Sequence, residues 1–276
     1  MQKYIIVLIA FLGIFPLWVA SAANNEAKTP LSLPNEHEEV QQSVSVEPIL
    51  LIGNVEVFDI DFTPALEAIS IASYQKTPYY PVLAGSFGGD LASWWQEGDI
   101  EKIIRQYNWS KILIQQADSI ARSDIIAFED SLFPYAQLGR ELQSQVFLIE
   151  GGDFTSHDIE SFASRQDTLL KNYQELSRLS SIKMIPVAHL MARLQTRSQI
   201  KVIDDKGNIT IEGAWAAAAI TYMGLSGERP ANPDFSRLYP NLQELIKPFA
   251  AIDVNRRFDI IDTAWDEWQN YLRLAM

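Results

Sequence analysis

Five short apolar runs recur along the chain: Ile49–Ile52, Tyr80–Ala84, Lys111–Gln115, Val146–Glu150 and Lys183–Val187. Runs of this length, interrupted by turn-forming residues, read as strands buried on both faces of a parallel sheet. The first is the most constraining. Ile49-Leu50-Leu51-Ile52 follows Pro48 and stops at Gly53-Asn54. Its carboxyl end opens into a loop at the place where parallel sheets hold ligands. Helical patterns fill the gaps: Pro64–Tyr74, Gly98–Gln106, Ile126–Gln143 with a break near Pro134, and Asp158–Ser180. Thr63-Pro64 reads as a cap followed by a first-turn proline. Phe162, Leu169, Tyr173 and Leu176 fall on one helical face. Strand alternating with helix predicts a three-layer α/β domain with a flavodoxin-like, doubly wound parallel sheet.

The ends of the chain read differently. Lys3, the apolar run Tyr4–Val19 and Ala20-Ser21-Ala22 follow the order of a secretory signal peptide over residues 1–22. The run is short for a spanning helix and holds Pro16, so cleavage is expected to leave no membrane span; an uncleaved anchor is the alternative. Residues 23–47 carry Glu26, Glu36, Glu38, Glu39 and Glu47 without an apolar period and read as a disordered acidic linker. The domain proper is expected over 48–276. In its tail, Ile261, Trp265, Trp268 and Leu272 recur at helical spacing and read as a core-docking face. The leader predicts export to the periplasm or exterior, where a chain with no cysteine must hold together by its core alone. The missing thiols exclude cysteine catalysis and cysteine-based zinc sites. A net charge of −13 disfavours nucleic acid as a partner.

Several strand ends carry a common set of motifs. They are Ile49-Leu50-Leu51-Ile52-Gly53-Asn54, then Leu83-Ala84-Gly85 with Gly88-Gly89-Asp90, then Trp109-Ser110-Lys111-Ile112-Leu113-Ile114-Gln115. Met184-Ile185-Pro186-Val187 and Asp204-Asp205-Lys206-Gly207-Asn208, with Gly213 beyond, complete it. Together they resemble the blocks of the SGNH (GDSL-like) hydrolases, in the branch whose first block reads ILFIGNS, from Pro48 to about Pro230. The resemblance implies that fold and an acyl-ester hydrolase ancestry. It assigns the nucleophile position to Val55, the carboxylate to Asp205 and the base to Asn208. It gives the oxyanion donors as the backbone of Gly89 and the side chain of Gln115. A plainer account exists for each donor: Gly88-Gly89 as a tight turn, and Gln115 as a strand-end glutamine bonding a loop.

Neither Val55 nor Asn208 can perform the family's chemistry. Valine has no attacking atom, and an amide does not titrate near neutrality. The last block also has a purely structural account. Ile200–Ile203 and Ile209–Ile211 flank Asp-Asp-Lys-Gly-Asn as the arms of a β-hairpin. Of the three histidines, His37 lies in the linker, and His157 follows Thr155-Ser156 at a helix start that reads as a capping box. His189 alone stands near the sheet edge, as the possible relocated base, with Ser86 or Ser119 as nucleophile. No metal site and no cofactor are expected, since the Asp204-Asp205-Asn208 spacing is not that of a calcium loop. The expected role is non-catalytic binding or scaffolding through the old cleft or an aromatic loop at Trp94-Trp95. The ligand classes in view are an acylated carbohydrate or another exported protein. An active esterase or carbohydrate deacylase with rearranged residues is the competing class.

Overall fold

The computed structural model describes residues 6–8, 46–53, 61–73, 77–85, 90–116, 118–152, 159–197, 200–231, 234–238 and 240–275. The strands are β1 (Ile6–Leu8), β2 (Glu47–Ile52), β3 (Tyr79–Gly85), β4 (Lys111–Ile114), β5 (Gln145–Ile149) and β6 (Lys183–Ile185), in the order β1-β3-β2-β4-β5-β6. From β3 to β6 every pairing is parallel. This is the flavodoxin-like order expected from the alternating pattern. Ile49, Leu50, Leu51 and Ile52 are all fully buried, as a central strand covered on both faces must be.

The amino-terminal part of the chain departs from expectation twice. Ile6–Leu8, inside the expected leader, pairs antiparallel with Leu83–Gly85 along the outer edge of β3. The five parallel strands are complete without it. The expected linker also ends one residue early, because Glu47 is the first residue of β2. Its carboxylate accepts from Ser110 Oγ at 2.7 Å and pairs with Lys111, whose ammonium lies over the Tyr79 ring.

The helices are α1 (Phe62–Ala72), α2 (Leu91–Glu97), α3 (Asp99–Gln106), α4 (Asp118–Ser123), α5 (Ile125–Glu141), α6 (Ile159–Ser180), α7 (Val187–Arg197), α8 (Ile211–Ser226), α9 (Pro240–Leu245), α10 (Lys247–Ala250) and α11 (Val254–Ala275). One group packs around α8, with α1, α7 and α11 against it; the other joins α2 to α3 and α5, and α4 and α5 to α6. Helix α8 is buried along its whole length from Gly213 to Leu225, which is how a helix apolar on every side must sit. Gly224 lets it approach β6, since a Cβ there would lie 2.6 Å from Ile185 Cδ1.

Four local expectations are corrected. Helix α1 starts at Phe62, so Thr63-Pro64 lies inside the first turn, where proline's missing N–H is one the helix does not use. Pro134 sits within α5 without ending it. Trp94-Trp95 belongs to α2, not to a loop. Trp94 is buried, and Trp95 meets the Tyr135 ring edge-on at 5.0 Å, so neither forms an open aromatic platform. In α11 the docking face runs through Ile260, Ile261, Ala264, Trp268 and Tyr271, while Leu272 points outward. Tyr271 also closes the open edge of β6: its hydroxyl accepts the Met184 backbone N–H at 3.3 Å.

Candidate functional site

The strand order reverses between β2 and β4, and that crevice is where a doubly wound sheet holds its ligand. Ile52 pairs with Ala84 on one side and Ile114 on the other. One step further, the Gln115 N–H donates to Ile52 O at 2.8 Å and the Gly53 N–H to Ala84 O at 3.4 Å. The three strand ends expected to share a cleft are therefore adjacent. Val55, Ser86, Gly88 and Gly89 lie outside the described residues, as do the capping pair Thr155–Asp158 and His157. The side chain of Ser119 is likewise outside.

Two consecutive glutamines leave β4 with different tasks. Gln116 accepts the Leu91 N–H at 3.2 Å and donates to Ser131 Oγ at 2.8 Å. With Tyr135 OH donating to Leu91 O at 2.8 Å, it pins the start of α2 to α5. Asp90 caps the same helix through the Ser93 N–H. Gln115 is 1% exposed, yet its Oε1 has no hydrogen-bond partner among the described residues. A buried acceptor left unbonded costs free energy. Sequence reading singled out Gln115 and passed over Gln116, although period-two alternation already said that only one of the pair could face the crevice.

The last block forms a compact turn. A single antiparallel bridge, Ile203–Ile209, replaces the expected hairpin, because Thr210 caps α8 and Ile211 is already helical. Asp204 is the hub. Its carboxylate accepts the backbone N–H of Lys206 and of Asn208, both at 2.8 Å, and the Asn208 side-chain amide at 3.0 Å. Those bonds, with Asn208's side chain foremost, hold the Asp204 carboxyl below the usual range. Asp205 is 92% exposed and pairs with Lys201 at 2.8 Å. Gly213 ties the turn to α8, since a side chain there would overlap the Val202 carbonyl oxygen.

His189 lies in the first turn of α7. Its N–H donates to the buried Glu150 carboxylate at 2.9 Å, and its ring Nε2 is 3.6 Å from Glu267 Oε1. Glu267, itself buried, is held by Arg193 at 2.9 Å. His189 Nδ1 is buried and bonds nothing among the described residues. A groove of about 640 Å³ opens beside this cluster, and among the described residues no serine lines it. A half-buried carboxyl stands elsewhere: desolvation pushes Glu67 of α1 up to about 7, and burial, with that carboxylate nearby, raises Tyr80 above its ordinary value.

No family model matches the chain, and no curated protein matches it in sequence. Solved structures do resemble it. A protein of Slackia heliotrinireducens assigned to the SGNH hydrolases superposes with a TM-score of 0.54 at 13% identity, covering 66% of this chain and 100% of its own. A DUF4886 family protein of Bacteroides uniformis gives 0.53 at 14%, covering 79% and 94%. The acetylxylan esterase Axe2 of Geobacillus stearothermophilus gives 0.52 at 12%, covering 67% and 97%. The fold is thus of the SGNH-hydrolase type.

Proposed function

We propose that this chain is an exported, SGNH-fold protein that no longer hydrolyses esters at the ancestral position and serves instead as a binding or scaffolding protein. The observation that carries the reading is the Asp204–Asn208 turn. The residue at the base position spends its amide on Asp204, and the residue at the carboxylate position is solvent-exposed and paired with Lys201. With valine at the nucleophile position, all three triad positions are without the groups or contacts that acyl transfer needs. The crevice at Gln115 keeps hydrogen-bonding capacity for a ligand. The acetylxylan esterase among the structural neighbours supports an acylated carbohydrate as the first ligand class to test, with another exported protein as the second.

The competing reading is an esterase with a relocated base, favoured by the His189–Glu267 pairing. A purified chain tested on short acyl esters decides between them. No turnover is expected, and a fluorophosphonate probe should not label it. Val55→Ser alone and Asn208→His alone should each stay inactive, because nucleophile and base act as a unit. Native turnover that disappears in His189→Ala would overturn the binding reading. Export is tested by sequencing the mature amino terminus, expected at Ala23; a membrane-bound form beginning at Met1 would refute it.

A further inference from the structure

The groove beside His189 continues past Leu274 into a second, of about 560 Å³, bounded by α6, the start of β6 and α11. Leu274 lines both and is 77% exposed. The charges along this path depart from those of the chain as a whole. Arg178 is paired with Glu175, and Arg193 with Glu267. That leaves Lys171, Lys183 and Arg273 on the walls without a carboxylate partner among the described residues, against one lone acid, Asp167. On a protein of net charge −13, a groove with a positive balance is a local reversal of the field.

We infer that this groove, at the outer edge of the sheet and away from the β2–β4 crevice, binds an extended acidic peptide segment of a partner protein. The shape fits a chain and not a compact ligand. From Asp167 to Arg178 the α6 wall runs about 17 Å at the helical rise, the span of roughly five extended residues. The exposed Leu274, which lines both grooves beside these cations, suits apolar side chains interleaved with the acids. Strand addition is excluded as the binding mode, because Tyr271 already occupies the Met184 N–H of β6. Recognition then rests on side chains, with Lys171, Lys183 and Arg273 as the anchors.

The test uses the full chain and a fluorescein-labelled peptide of alternating glutamate and leucine, read by fluorescence anisotropy. Binding is expected, and it should fall about tenfold when Lys171→Glu and Lys183→Glu are combined, since like charges then face the ligand. Both lysines stand at the groove surface, and an unchanged thermal melt will establish that the double variant is folded. The same charge pattern with serine replacing leucine separates apolar anchoring from charge alone. Absence of binding, or equal binding by the double variant, overturns the proposal. Capture of a uronate polymer in preference to the peptide also overturns it, by replacing the ligand class. Ester turnover is measured in parallel, so the outcome here stands apart from that at the crevice.

Discussion

Under the proposed function, the crevice at Gln115 and the turn at Asp204–Asn208 are two parts of an ancestral site, and their hydrogen bonding differs. In the turn, Asp204 and Asn208 are bonded to each other, and the neighbouring Asp205 to Lys201, all at the surface. In the crevice, Gln115 is buried and its Oε1 bonds nothing among the described residues. The half that would supply acid–base chemistry has turned its hydrogen bonds inward to shape a loop. The half that would hold the oxyanion retains spare bonding capacity, which stability alone does not explain. On that proposal catalysis and binding are separable, and each can be probed alone.

The harshest way to break the comparison is Gly213→Val. Its side chain would meet the Val202 carbonyl and lie within 2.8 Å of Ile209 Cγ2, separating the turn from α8. A loss of about 3 to 4 kcal/mol in denaturant unfolding is expected. A loss below about 1 kcal/mol would mean that the turn is not anchored there.

A pH series separates the turn's surface carboxylates from the desolvated Glu67. Glu67 titrates near 4.5 when unfolded and near 7 when folded. Between those values the folded state holds more protons, so stability falls as pH rises, by on the order of 3 kcal/mol for this group. Glu67→Gln should therefore flatten the decline between pH 5 and 8 relative to the native chain. Parallel curves for the two proteins would refute the desolvated-carboxyl account.

The two glutamines sharpen the comparison directly. Gln116→Leu strands the Leu91 N–H and should cost about 2 kcal/mol. Gln115→Leu removes an unbonded acceptor and should lie within about 0.5 kcal/mol of the native chain, or above it. Equal costs in urea unfolding would show that Gln115 is structural and would close the crevice as a binding site. At the exposed turn, Asp204→Ala should lower Tm slightly and release Asn208. Its depressed titration means that its stabilisation is present above the unfolded carboxyl range and fades as pH falls through it.

What was legible in the chain follows from which forces are local. Ile49–Ile52 declares a doubly covered strand because apolar burial needs no knowledge of partners, and five such runs dictate the strand order through handed connections. The capping of α8 by Thr210 was hidden for the opposite reason. Ile209-Thr210-Ile211 alternates like a strand, and only the fit of Gly213 against Val202 decides for helix. The Trp94-Trp95 pair misled in the same way: tryptophans beside glycines suggest a platform, while the nearby Tyr135 that absorbs Trp95 lies far along the sequence. Site positions could be aligned from motifs, but their bonding could not. Glu267, whose carboxylate stands 3.6 Å from the His189 ring, sits on α11, and nothing around His189 announces it.

Tyr271 closes β6 from a distance of 87 residues in sequence. A ribosome adding roughly 5–20 residues per second needs on the order of ten seconds to deliver that hydroxyl after Met184 has emerged. Throughout that interval the nascent sheet has a strand edge with no lid, a template for any neighbouring chain. The late arrival of α11 leaves that edge open while the rest of the sheet assembles, and slowing delivery of the chain beyond Met184, in synthesis or in export, should raise aggregation without changing a residue.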